Sequence, residues 1–315
     1  MNWLVALAPW TLQSSAMESA VYSWDWSRSH RMYLETKVQL PVVMWLATPF
    51  NHQARITAFD LRLVTTCGDA QVLGRHTAEV SCTLDDVALS AAGLKQEVGL
   101  LDPILAELDE MLTGSVVQLQ VSDDGRLVNI DLEGLSRRNN RGGWINENLR
   151  LIVSRAFAGL DLALPADEEN SWPQYESWLM RAPAVDGSSG GAEIVHREVE
   201  REGSFASIVS GGRGVIVVGE GHNKYDTRMV GETRFDLRTG RIADRSWTVV
   251  GGPTASSWIA FGAEGYPYVQ KGRVVALTAD EPWDLGESRE LHEVGAQPTA
   301  IQQTGPGAQL GGPIR

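Results

Sequence analysis

Apolar and polar positions alternate cleanly from the first third of the chain onward. Met32, Leu34, Thr36, Val38 and Leu40 fall on one side of a period of two, with Tyr33, Glu35, Lys37 and Gln39 on the other, which is the pattern of a half-buried strand. Pro41 and Pro49 then bracket an apolar run over residues 42–46. The same alternation groups Phe59, Leu61, Leu63 and Cys67 on one face of a second strand, and Ala78, Val80, Cys82 and Leu84 on one face of a third. If these two are the arms of a hairpin turning near Gly74 and Arg75, Cys67 and Cys82 lie directly opposite each other. An antiparallel pair then brings their Cβ atoms to about 4.5 to 5.5 Å, close to disulfide reach. Two buried reduced thiols fit the same pattern, because free cysteine is itself among the most buried residue types.

The period changes at residue 102. Asp102 and Pro103 read as an N-cap followed by proline at the first helical position, and Ile104, Leu105, Leu108, Met111 and Leu112 form a stripe at helical spacing that Gly114 ends. Val117, Leu119 and Val121 alternate next, Asp123-Asp124-Gly125 turns, and Val128, Ile130 and Leu132 alternate again, predicting a hairpin. A second helix is predicted over residues 144–158, with Ile145, Leu149, Ile152, Val153 and Ala156 on one face and Gly159 at its end. Strands follow over 194–199, 205–210, 214–218, 225–237 and 242–250. The turn around Gly240 echoes the one around Gly125, by internal duplication or by coincidence. The fold class is therefore mainly β, a curved antiparallel sheet or open barrel built as one or two sheet units, with two packed helices.

Composition narrows this picture. A 43% hydrophobic chain of 315 residues can bury a large core, in one large domain or two of ordinary size at roughly 150 residues each. The expected division is residues 1–16 as a signal peptide, 17–164 as an N-terminal sheet with two helices, 165–294 as a C-terminal sheet, and 295–315 as a disordered tail. The start is a short apolar run ending in Ser14 and Ala16 at small-x-small spacing, although no Lys or Arg precedes it. Export to the periplasm or beyond is the expectation, or a cytoplasmic location if this segment is not a signal peptide. A formal charge of −13 disfavours nucleic acid as a partner, and no segment reaches the ~18 apolar residues of a membrane-spanning helix.

Chemistry is sparsely signposted. His30, His52, His76, His196, His222 and His292 are not spaced to share a metal, and nucleophile-elbow, phosphate-loop and dinucleotide motifs are missing. Residues 219–226 gather an acid, an imidazole, an amine and a phenol, which a polar hairpin end explains equally well. No cofactor and no catalytic residue is expected. Tryptophan, at 11 copies, outnumbers tyrosine and phenylalanine at 6 each. Trp45, Trp247 and Trp258 lie in or beside expected strands, where indoles suit an apolar pocket with a few orienting donors, or simply anchor a core.

The signal-like start, long meander, helix pair and strand-Gly-Arg-strand hairpins together resemble exported bacterial proteins of open-barrel type, of which the lipoprotein-carrier (LolA-like) superfamily is an example. Residues 55–67, Ala78-Glu79-Val80-Ser81-Cys82, Leu105-Ala106-Glu107-Leu108-Asp109, and the stretch from Phe235-Asp236 through Gly240 to Trp247 are also similar to exported Gram-negative proteins without an assigned activity. The resemblance implies a groove between sheet and helices that takes an apolar, lipid-like ligand, with Trp45, Trp247, Trp258, Leu108 and Met111 as candidate lining residues. The alternative is a structural component of the cell envelope, or one with a protein partner there, whose sheet is filled by its own side chains; an enzyme ranks third.

Overall fold

The computed structural model describes residues 22–26, 28–47, 53–74, 76–93, 98–132, 143–165, 170–180, 189–218, 223–253, 268–279, 283 and 285. The signal-like segment, the tail and Trp258 lie outside them, as does the side chain of Trp45. The chain forms two compact units, Met1–Trp283 and Asp284–Arg315, and the first holds the fold described below.

Among the described residues, eleven strands make one sheet: β1 (His30–Ala47), β2 (Gln53–Val72), β3 (Thr77–Gly93), β4 (Val116–Ser122), β5 (Leu127–Asp131), β6 (Ser171–Tyr175), β7 (Ser189–Glu202), β8 (Phe205–Val218), β9 (Asn223–Asp236), β10 (Arg241–Pro253) and β11 (Tyr268–Leu277). All neighbours are antiparallel, in the order β5-β4-β3-β2-β1-β11-β10-β9-β8-β7-β6. Two meanders are thus joined side by side through β1 and β11, and the molecule is mainly β, a curved open sheet with two helices. Helix α1 (Val98–Leu112) lies against β3 and β2, and helix α2 (Gly143–Phe157) against β1 and β2.

Period-two patterning accounts for the sheet. Leu34, Val38, Leu61, Leu63, Val249 and Val274 point to the face that the helices cover and are buried, while Lys37 points to the other and is exposed. The Cys67–Cys82 disulfide is formed, between residues directly paired on β2 and β3, closing a separation of 15 residues. Both sulfurs face the core. Ile104, Leu108 and Leu112 of α1 and Leu149, Ile152, Val153 and Ala156 of α2 join the same core cluster as the inner face of the sheet.

Three expectations on element bounds are corrected. Helix α1 begins at Val98, not Asp102, and takes Pro103 inside it. The proline's missing N–H would have bonded the Gly99 carbonyl, so it forfeits only one early hydrogen bond, and its fixed φ suits the helix. Strand β1 continues through Pro41 with a register shift between Gln39 and Met44 that takes up the proline. Strand β8 runs unbroken where two strands are expected, because Gly211 and Gly212 stay paired to β7 and β9.

Candidate functional site: the inner face of the sheet

The two ends of the sheet differ. At one end lie the connections from β2 to β3, β4 to β5, β7 to β8 and β9 to β10. The segment before β1 crosses it between the two echoing hairpins. The Asp25 N–H donates to the Gly240 carbonyl (3.0 Å), and the Trp24 indole donates to the Leu162 carbonyl (3.2 Å) while lying so close over Gly125 that a Cβ there would collide with it. Gly125 and Gly240 both sit at positive φ, +83° and +63°, which glycine adopts without strain. Trp24 stacks on Trp26 at 5.1 Å and meets Phe235 edge-on at 5.4 Å; Tyr22 touches Phe235 and Trp172 and donates to Glu198 (2.6 Å).

The gap between edge strands β5 and β6 is stitched at the same end by the chain after α2. Asp161 accepts from the Leu127 N–H of β5 (3.0 Å), and Leu127 accepts from the Trp178 indole (2.5 Å). Two residues on, the Ala163 N–H donates to Gln174 of β6 (3.0 Å) and its carbonyl accepts from Trp172 (2.7 Å). The connections 48–52, 94–97, 181–188, 219–222 and 254–267 lie outside the described residues.

Between the ends, the inner face is crossed by rows of paired residues. One row runs Leu89, Leu61, Thr36, Gly272, Trp247, Gly231, Ser210, His196, Trp172, from β3 to β6. The Trp247 ring occupies the space where Gly272 would carry a Cβ, and its outer edge abuts Gly159 in the 3-10 turn Ala158–Leu160. An adjacent row sets Val38, Gln270, Val249 and Met229 side by side, and the row on the other side sets Leu34, Val274, Arg245 and Thr233.

Arg245 is the largest fully buried side chain among the described residues. One guanidinium nitrogen donates to the carbonyls of Gly159 (2.8 Å) and Asp161 (2.9 Å), fastening the turn to the sheet. Burial lowers the Arg245 pKa to about 10, against the opposing charge of Asp161. Burial likewise raises the Asp161 carboxyl above its ordinary range, opposed by the Leu127 N–H, the Ser177 hydroxyl, the Trp178 N–H and Arg245. Next to them the Ser210 hydroxyl donates to His196 Nδ1 (2.8 Å) and His196 Nε2 donates to the Gln174 side-chain oxygen (2.8 Å). That oxygen already accepts from Ala163, which fixes the tautomer. A hydroxyl on an imidazole is the first half of nucleophile activation, but here an amide stands where a carboxylate would orient the base. Burial, then the Arg245 charge, lowers the His196 pKa to about 3, far too weak a base at neutral pH.

Of the residues singled out from sequence, Leu108 is fully buried, Met111 is partly buried against the core, and Trp247 is 2% exposed in the centre of the inner face. They do not meet at one place: Leu108 and Met111 belong to α1, which lies over β2 and β3, whereas Trp247 is on β10. Trp45 is paired with Arg55 near the far end of β1 and β2, its side chain outside the described residues, and Trp258 lies outside the described residues altogether. Residues 219–222 are also outside the described residues, and Tyr225 is buried. Sequence reasoning missed Thr36, His196, Ser210, Arg245 and Gln270; the signal that marks them is a polar residue at an inward position of an otherwise alternating strand. Among the described residues no group of acidic, histidine or cysteine side chains is placed to hold a metal, and no helix is long and apolar enough to cross a membrane. No protein-family model matches the chain, and a search of curated proteins finds no match either.

Proposed function

We propose that the protein is a non-catalytic binding protein that holds an apolar, lipid-like ligand between the inner face of its curved sheet and the helices packed on it. One observation carries this reading: the helix-covered face of the curved sheet is broadly apolar, and one end of it is crossed by an aromatic strap and by hydrogen bonds that join the edge strands. Binding sites are concave, mostly apolar and sparingly polar, and the rows around Val38, Val249 and Leu61 have that character. The buried disulfide fits an oxidising, exported location, and the likeness to lipoprotein carriers points the same way. Native mass spectrometry of protein purified from its own host should reveal a co-purified small apolar ligand; bare protein that also fails to take up any lipid would overturn the reading.

A second reading, a structural or protein-interaction component of the cell envelope, is favoured by the burial of Leu108 and Trp247 among the protein's own side chains. In that case the Arg245 and Asp161 latch serves only to hold the turn on the sheet.

A further inference from the structure

Five buried residues at the middle of the inner face carry polar atoms for which the described residues supply no partner: Thr36 Oγ1, Thr233 Oγ1, Arg245 Nε and Nη2, Trp247 Nε1 and Gln270 Nε2. All are at most 4% exposed. They are neighbours by register. Thr36 and Trp247 flank Gly272 in one row; Gln270 is one inward step along β11 from that glycine, and Arg245 is one inward step along β10 from Trp247, directly paired with Thr233. The four strands involved, β1, β11, β10 and β9, are consecutive in the sheet.

Their chemistry is one-sided. The indole N–H, the guanidinium and the amide nitrogen can only donate, and a threonine hydroxyl can do so. Nearby acceptors are already engaged: Asp161 takes hydrogen bonds from Leu127, Ser177 and Trp178, and the Gln270 oxygen takes one from Tyr268 (2.6 Å). Arg245 hydrogen-bonds two backbone carbonyls through one of its nitrogens, and the Asp161 carboxylate acts on it through charge. Buried donors without acceptors are costly, so a cluster of them in an apolar setting calls for an explanation.

We infer that the ligand is amphipathic, with a carboxylate or ester carbonyl on an apolar body, and that this acceptor head docks on the donor cluster of Thr36, Arg245, Trp247 and Gln270. The inference rests on the binding reading above and adds the head group. The apolar rows on β1, β2 and β10 take the body, and the donors set how deep the head sits. Gln270 takes the Tyr268 hydroxyl on its oxygen, which leaves its amide nitrogen as the donor for the head.

The test uses the full chain and the fluorescent fatty acid dansylundecanoic acid, displaced in turn by laurate, methyl laurate and dodecane. Laurate and its ester should compete about tenfold better than the alkane, the equivalent of one or two hydrogen bonds. Thr36→Val keeps the shape and removes the hydroxyl, and it should erase about fivefold of that preference, with Thr36→Ser restoring it. Trp247→Phe, which keeps a ring and loses the N–H, should act in the same direction and guards against a fold defect peculiar to position 36. Equal displacement by all three competitors, unchanged in the variants, would overturn the acceptor head while leaving an apolar site intact. No saturable uptake of the probe would overturn both the site and the inference.

Discussion

At the scale of single residues, the chain places polar atoms where apolar ones would be simpler and holds each by a specific means. Asp109 of α1 accepts from the Leu89 N–H of β3 (2.7 Å), joining helix to sheet through a partly buried carboxylate. Burial raises its pKa from 3.8 to about 6, outweighing the stabilising N–H. A carboxyl whose folded pKa lies above its unfolded value favours folding most when protonated, so its contribution is complete below 3.8 and is lost as pH rises through about 6. Asp109→Asn keeps an oxygen for Leu89 and cannot ionise. Its melting temperature should match the parent near about pH 4 and exceed it near about pH 7.5; a difference that does not grow with pH would refute the assignment. The disulfide makes a separate claim. Cys67→Ser with Cys82→Ser should lower stability by about 3 kcal/mol, as expected for releasing a loop of this size, read from urea midpoints.

At the scale of elements, the alternation rules predict what packs by apolar contact and fail where an inward polar group or a close approach replaces it. The strands carrying Leu34, Leu61 and Val80 were legible because their inward positions are predominantly apolar, with Thr36 and Thr65 as buried polar exceptions. Strand β11 was not legible: its inward positions are Tyr268, Gln270, Gly272 and Val274, so a buried amide and a bare glycine break the pattern. The same two residues belong to the donor cluster and to the seat of the Trp247 ring, and the illegible strand is therefore the one that lines the candidate site. Short β6 was missed as well, because its hold on the fold comes from the Trp172 and Gln174 side chains bonding Ala163, contacts with no local period. The α1 stripe could be read directly, and its prediction is sharp. Leu108→Asp buries an unpaired carboxylate at a position with no solvent exposure, costing several kcal/mol out of a net stability of roughly 5 to 15 kcal/mol. Near-parental thermal stability in that variant would mean that α1 does not cover β3 as described.

At the scale of the whole molecule, the decisive contact is the pairing of β1 with β11, nine residue pairs from Arg31 with Leu277 to Gln39 with Val269, which makes one sheet of two meanders. No pattern within either meander announces it, since each is locally complete and the pairing joins residues far apart in sequence. The strap reinforces it: Trp24 lies over the β4–β5 turn while Asp25 bonds the β9–β10 turn, and Arg241 donates to the Asp25 and Arg28 carbonyls (3.3 and 2.9 Å). A chain ending at residue 164 would leave β1 as a long, apolar, unpaired edge, and a chain beginning at 165 would do the same to β11, the condition under which sheets aggregate. Expressed apart, residues 17–164 and 165–294 should each be insoluble or lack a cooperative melt; expressed together, they should associate and recover one. The measurement is circular dichroism with thermal melting on each piece and on the co-expressed pair. Two halves that fold cooperatively in isolation would show that the joint between β1 and β11 is a docking contact between independent domains, and that the inner face, with its row from Leu89 to Trp172, is divisible.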